Sequence, residues 1–111
     1  MRNKPLTWVG SSLEDLKAFP EDTRRMAGYQ LRKVQSGLMP DDFKPMKSVG
    51  QGVQEIRIRT GRAHRVFYVA KFEESIYVLH AFEKKTQRTS QADLETGRKR
   101  LAEVVRHRMR K

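Results

Sequence analysis

The sequence contains no cysteine, which excludes disulfides and thiolate metal sites. No stretch approaches the ~20 consecutive apolar residues of a membrane span. The basic start, Met1-Arg2-Asn3-Lys4-Pro5, is followed by no apolar run of the secretory kind. These absences predict a soluble, cytoplasmic protein with no membrane partner. There is no carboxylate dyad, no serine nucleophile with a placed His and Asp, and no glycine-rich phosphate loop. The three histidines (His64, His80 and His107) are scattered, so no metal and no cofactor is expected. Acidic residues are also scarce: 13 Asp and Glu stand against 24 Lys and Arg, a net charge of +11. Such an excess disfavours compactness by self-repulsion and suits a polyanionic partner. Nucleic acid is the first candidate, because phosphate contacts dominate nucleic-acid affinity; an acidic protein is the second and a membrane surface the third.

What is present is enough for one domain over residues 1–111. A chain of this size buries roughly two thirds of the surface it exposes when unfolded, so it supports one small core. Leu6 and Trp8 alternate with Thr7, predicting a short strand over Lys4 to Val9. Ser11 or Ser12 is placed to N-cap a short helix that carries Leu13 and Leu16. Phe19-Pro20 ends that helix, since the residue before proline is pushed out of the helical region. A second helix begins near Glu21 or Asp22, with Ala27, Leu31, Val34 and Leu38 in one stripe, and stops at Gly37 and Pro40. Met39 to Gly52 reads as a loop. Val53–Arg59, Ala63–Phe72 and Ile76–Phe82 then form three strands of an antiparallel meander, with turns at Thr60-Gly61-Arg62 and Glu73-Glu74-Ser75. Gln91–Met109 is helical by pattern. Residues 84–111 hold ten Lys or Arg and three acids, so over half of the net charge lies in the last quarter. The order of strand, two helices, three strands and helix predicts an α+β domain with helices on one side of the sheet. The other face is left to polar residues.

Three features bear on chemistry. Alternation puts Glu55, Arg57 and Arg59 on one face of their strand and Ile56 and Ile58 on the other. Arg65 stands inside the apolar run His64-Arg65-Val66-Phe67-Tyr68, where a guanidinium must be paired, with Glu55 or Glu83 in reach, or must face a groove that takes an anion. Tyr68 belongs to the core by type, although its hydroxyl could reach a phosphate. Last, an apolar strand runs into lysines at His80-Ala81-Phe82-Glu83-Lys84-Lys85-Thr86. His80, Phe82 and Lys84 share one side, and adjacent lysines lower each other's pKa. RNA suits such a set because it brings its own nucleophile, the 2′-hydroxyl. Cleavage needs alignment, proton transfer and cations on the phosphorane, which Lys and Arg supply without metal. Arginine is a poor base, so the proton-transfer role falls to a lysine of lowered pKa, to His80 or to His64.

The segments Glu55-Ile56-Arg57, His64-Arg65-Val66-Phe67-Tyr68 and Leu79-His80-Ala81-Phe82-Glu83-Lys84-Lys85-Thr86, in this order and spacing, resemble the RelE/HigB toxins of type II toxin–antitoxin systems. The likeness is to the branch related to the phage Gp49-like proteins, and it extends over roughly residues 5 to 101. It implies a RelE-like α+β fold and metal-independent cleavage of mRNA in the ribosomal A site through a 2′,3′-cyclic phosphate. Carried over by position, it implies catalytic roles for Arg57, Arg65, His80, Lys84 and Lys85. Arg59, His64, Tyr68, Arg98 and Arg100 are the expected substrate-binding residues, the last two gripping ribosomal RNA. It also implies a neighbouring antitoxin, commonly a helix-turn-helix protein of the HigA kind, with an acidic segment that covers the basic groove. Two other readings compete. A toxin of the same fold in the ParE branch would inhibit DNA gyrase by contact alone. A non-catalytic nucleic-acid-binding module would need an aromatic stacking ladder, which the strands lack.

Overall fold

A computed structural model describes residues 3–110; Met1, Arg2 and Lys111 at the basic ends lie outside the described residues. The elements run β1 (Leu6–Trp8), α1 (Ser12–Lys17), α2 (Glu21–Gln35), β2 (Phe43–Pro45), β3 (Val53–Thr60), β4 (Arg62–Val69), β5 (Ile76–Glu83) and α3 (Gln91–Met109). The expected α+β class holds, but the sheet has five strands in the order β1-β5-β4-β3-β2 instead of a three-stranded meander. It is mixed: β1 lies parallel to β5, and the other pairings are antiparallel. The strand that the sequence hides is β2, inside the expected loop. Its three residues include Pro45, which cannot donate to a ladder and is tolerated only at an edge.

Both sheet faces are covered, which corrects the expectation of helices on one side. One face carries Ile56, Ile58, Val66, Tyr68, Ile76 and Val78 and packs under Leu16, Phe19, Ala27, Leu31 and Val34 of the α1–α2 segment. The opposite face carries Val53, Phe67, Val69, Leu79 and Phe82 and packs under Val104, Leu94 and Leu101 of α3, with Met46 and Val49 of the β2–β3 connection. Strands β4 and β5 are buried along almost their whole length. Such strands expose apolar side chains on both faces, and water cannot be left on either. A bulge between Phe67 and Tyr68 lets β5 fit one extra residue, Leu79, into its pairing with β4.

The caps and turns show why the chain folds this way locally. Ser12 does not cap α1; it is buried, and its hydroxyl donates to Val78 O (3.0 Å), tying α1 to β5. Ser90 is a true N-cap of α3, accepting from Asp93 N (3.1 Å). Gly61 turns β3 into β4 at φ +95°, which side-chain-bearing residues rarely adopt. Gly97 lets α3 approach the sheet: a Cβ there would stand 2.9 Å from Val49 Cγ1 and 3.0 Å from Phe67 Cδ2. The far end of α3 is held by Arg108, which donates to both carboxylate oxygens of Glu74 (2.6 and 3.2 Å) and lies 4.0 Å above the Phe72 ring. With Tyr77 also donating to it, the Glu74 carboxyl is held down at about 2.

Candidate functional site: a basic trough at the end of the sheet

The α3 layer lies over β5 and leaves the β2–β3 side of the same face open. Register fixes what is found there. Lys44, Glu55, Phe67 and His80 form one cross-strand row; Arg57, Arg65 and Phe82 form the next. Arg59 lies opposite Ala63, and Lys84 N donates to Ala63 O (2.8 Å). Cross-strand partners share a face, so Lys44, Arg57, Arg59, Arg65 and Lys84 converge on one trough at the end where β5 leaves the sheet.

Arg57 and Arg65 stand directly opposite one another, an arrangement of like charges that is destabilising by itself. Glu55 answers it. Its Oε1 is 3.6 Å from the Nε of each arginine, too long for hydrogen bonds but close for ion pairs. Glu55 and Arg65 are only 2% and 5% exposed, so this pair is desolvated. Arg65 Nη1 donates to His64 O (3.0 Å). Glu55 Oε2, Arg57 Nε and Arg65 Nε are buried and have no hydrogen-bond partner among the described residues. Asp42 lies farther out, 3.9 Å from Arg57 and 3.8 Å from Arg59. Five cations thus face two carboxylates, and the surplus positive charge with unfilled donors suits an anion bearing several oxygens.

Lys84 is half-buried at the wall of this trough. Burial pushes its ammonium below the ordinary lysine range, and the charges of Arg65, Lys44 and Arg57 push the same way against Glu55. Its ammonium is therefore easier to deprotonate than that of a free lysine. Arg65 is also pushed down by burial, partly offset by Glu55, yet a guanidinium stays protonated. Lys85 is exposed beyond the strand end.

The remaining candidates lie elsewhere. His64 and Tyr68 alternate with Arg65 along β4 and face the α1–α2 side. His64 packs on the Phe19 ring (4.5 Å between centroids), and burial alone pushes the Tyr68 hydroxyl up to about 12. Arg98 donates to Ser48 O (2.7 Å) and Glu95 (2.7 Å). Arg100 donates to Leu79 O (2.9 Å) and Ser11 Oγ (2.9 Å). Both arginines tie α3 to the body of the protein. His80 is on the trough's face but under α3, stacked on Phe82 (4.7 Å). Its Nε2 donates to Asp93 (2.7 Å), and its Nδ1 is buried without a partner. The residue missed by the sequence reading is Lys44, carried by the hidden β2; the expected pairing of Arg65 with Glu55 is found, and Glu55 pairs with Arg57 as well. Among the described residues no group of three or more His, Cys, Asp or Glu is arranged to hold a metal ion, and no helix is long and apolar enough to cross a membrane.

The model of the family "Phage derived protein Gp49-like (DUF891)" matches residues 14–102. The chain belongs to the Gp49-like family. This family is part of the RelE toxin superfamily of toxin–antitoxin systems, which implies a cognate antitoxin partner. No curated protein matches the chain. The matched span of this Gp49-like protein includes every trough residue, from Lys44 to Lys84.

His80 gives the Gp49-like fold a pH dependence. Burial depresses its pKa below the ordinary imidazole value of about 6.5, with Asp93 opposing. Between the two values the unfolded chain binds more protons than the folded one, so stability falls as pH drops below about 6.5. Denaturation midpoints in urea at about pH 7.5 and about pH 5.5 should show this loss. His80→Gln should flatten that part of the curve. An equal slope in wild type and variant would remove His80 as its source.

Proposed function

We propose that the protein is a toxin that cleaves mRNA on the ribosome, using the sheet trough as its active site. The observation that carries this reading is the set of five cations around one buried carboxylate, with a half-buried lysine whose pKa is lowered. Arg57 and Arg65 hold the non-bridging oxygens of the scissile phosphate and answer the charge that grows on the phosphorane. Lys84, in its neutral form, takes the 2′-hydroxyl proton. The 2′-oxygen then forms a bond to phosphorus, the bond from phosphorus to the 5′-oxygen breaks, and a 2′,3′-cyclic phosphate remains. The leaving 5′-oxygen collects a proton from water at the open mouth of the trough. Glu55 touches no substrate; it positions the two guanidiniums.

Family membership supports the ribosome as the setting and a HigA-like helix-turn-helix antitoxin as the partner. An acidic antitoxin segment would complement the trough and compete with RNA for it. Induction of the toxin in cells, with the order of events followed, tests the reading. Labelled amino-acid incorporation should stop first, with DNA left intact. DNA breaks that precede any loss of translation would instead identify a gyrase poison of the ParE kind.

A further inference from the structure

Next to the trough lies a second groove, of about 420 Å³. It follows the edge of β5. Strand β1 stops at Trp8, opposite Val78, so among the described residues β5 has no neighbouring strand on that side from Leu79 to Glu83. The bond from Lys84 N to Ala63 O fixes the phase of the β4–β5 ladder. Antiparallel residues alternate in the direction of their hydrogen bonds. Ala81 therefore directs its N–H and C=O away from β4, toward the groove it lines.

Its lining includes Phe19 and His64, packed on one another, and the stacked pair of His80 and Phe82; each of these rings is buried, so little of it meets the groove. The polar groups differ in kind from those of the trough: they include the carboxylates of Asp15 and Glu83. Asp15 accepts from Ser11 (2.8 Å) and Glu83 from Arg62 (3.3 Å), each through one oxygen. A carboxylate has about four acceptor sites, so both retain acceptor capacity.

Two carboxylates repel a phosphate, whereas their free acceptor positions beside an unpaired strand edge suit the hydrogen-bonding edge of an unstacked base. The two sites adjoin through β5 itself. Phe82 lines the groove and lies opposite Arg65; Glu83 lines it and precedes Lys84. A phosphate at Arg65 and Lys84 would thus lie beside residues that line the groove.

We propose that the groove is a base subsite beside the scissile phosphate, selective for bases that carry an exocyclic amino group. This rests on the ribonuclease reading for its context. At the 4-position cytosine presents an amino donor and uracil a carbonyl acceptor, while at N3 the donor and acceptor are exchanged; a carboxylate facing the 4-position accepts from the first base and repels the second. Adenine and hypoxanthine differ in the same way.

Calorimetric titration of the purified protein with four nucleoside 3′-monophosphates tests the proposal. Cytidine should bind about tenfold or more tightly than uridine, and adenosine more tightly than inosine, by a similar factor. Asp15→Asn with Glu83→Gln should bring each ratio toward one, while Arg65→Lys should weaken all four alike. Because Arg65 is buried, thermal melting confirms that each variant is folded. Equal binding of all four by the wild type, no binding of any, or ratios that survive the double variant would overturn the subsite. Equal but Arg65-dependent binding leaves the nuclease reading intact. Selective binding in a protein that never cuts RNA removes the nuclease reading and leaves the subsite.

Discussion

Lys84→Ala is expected to slow mRNA cutting about 100- to 10,000-fold, the usual worth of a positioned proton-transfer group. Lys84 is half-buried at the trough wall and makes no side-chain ion pair among the described residues, so melting should move little. Lys84→Arg separates charge from proton transfer: it should restore RNA binding without restoring the rate, since arginine cannot give up its proton. The wild-type rate should rise with pH as Lys84 loses its proton, with a midpoint below 10.5 because its pKa is lowered. Single-turnover cutting of mRNA on programmed ribosomes measures all three. A variant that cuts at the wild-type rate would show that the proton goes elsewhere.

Glu55→Ala should cost about 3–5 kcal/mol of folding stability, the range for removing one partner of a buried ion pair. Without Glu55 the guanidiniums of Arg57 and Arg65 face each other across the sheet with no carboxylate between them. Arg65 is too buried for water to screen it. This loss is a large share of the 5–15 kcal/mol typical of a domain. It also has a signature that a cavity lacks. Sulfate or pyrophosphate, bound between the unpaired arginines, should stabilise Glu55→Ala more than the wild type. Chemical denaturation with and without the anion reads both effects. A loss below about 1 kcal/mol, or no extra gain from the anion, would mean that Glu55 does not hold the cluster together.

The sequence was most legible where a single period ruled. The alternation in β3 put Glu55, Arg57 and Arg59 on one face, and they are there; Gln91–Met109 is helical over the predicted span. The α+β class and the two N-terminal helices followed from the same patterns. Strand β2 was illegible because three residues with a proline carry no periodicity, and with it Lys44 was lost from the site. The side taken by α3 was illegible too. Strands apolar on both faces say that something covers each face, not which helix does so. That ambiguity carried over to β4. His64, Arg65 and Tyr68 look alike as polar interruptions of one strand, yet only Arg65 faces the trough. The arginines of α3 misled for a different reason. A sequence shows that Arg98 and Arg100 are charged, but not that backbone carbonyls at Ser48 and Leu79 engage their donors.

The trough as a ribonuclease site is the central claim, and mapping new 5′ ends on cellular mRNAs after induction tests it most directly. The account predicts cuts within reading frames in the wild type, which vanish in Lys84→Ala and when translation is blocked. Growth arrest without any new 5′ ends, or the same cuts in Lys84→Ala, would contradict it.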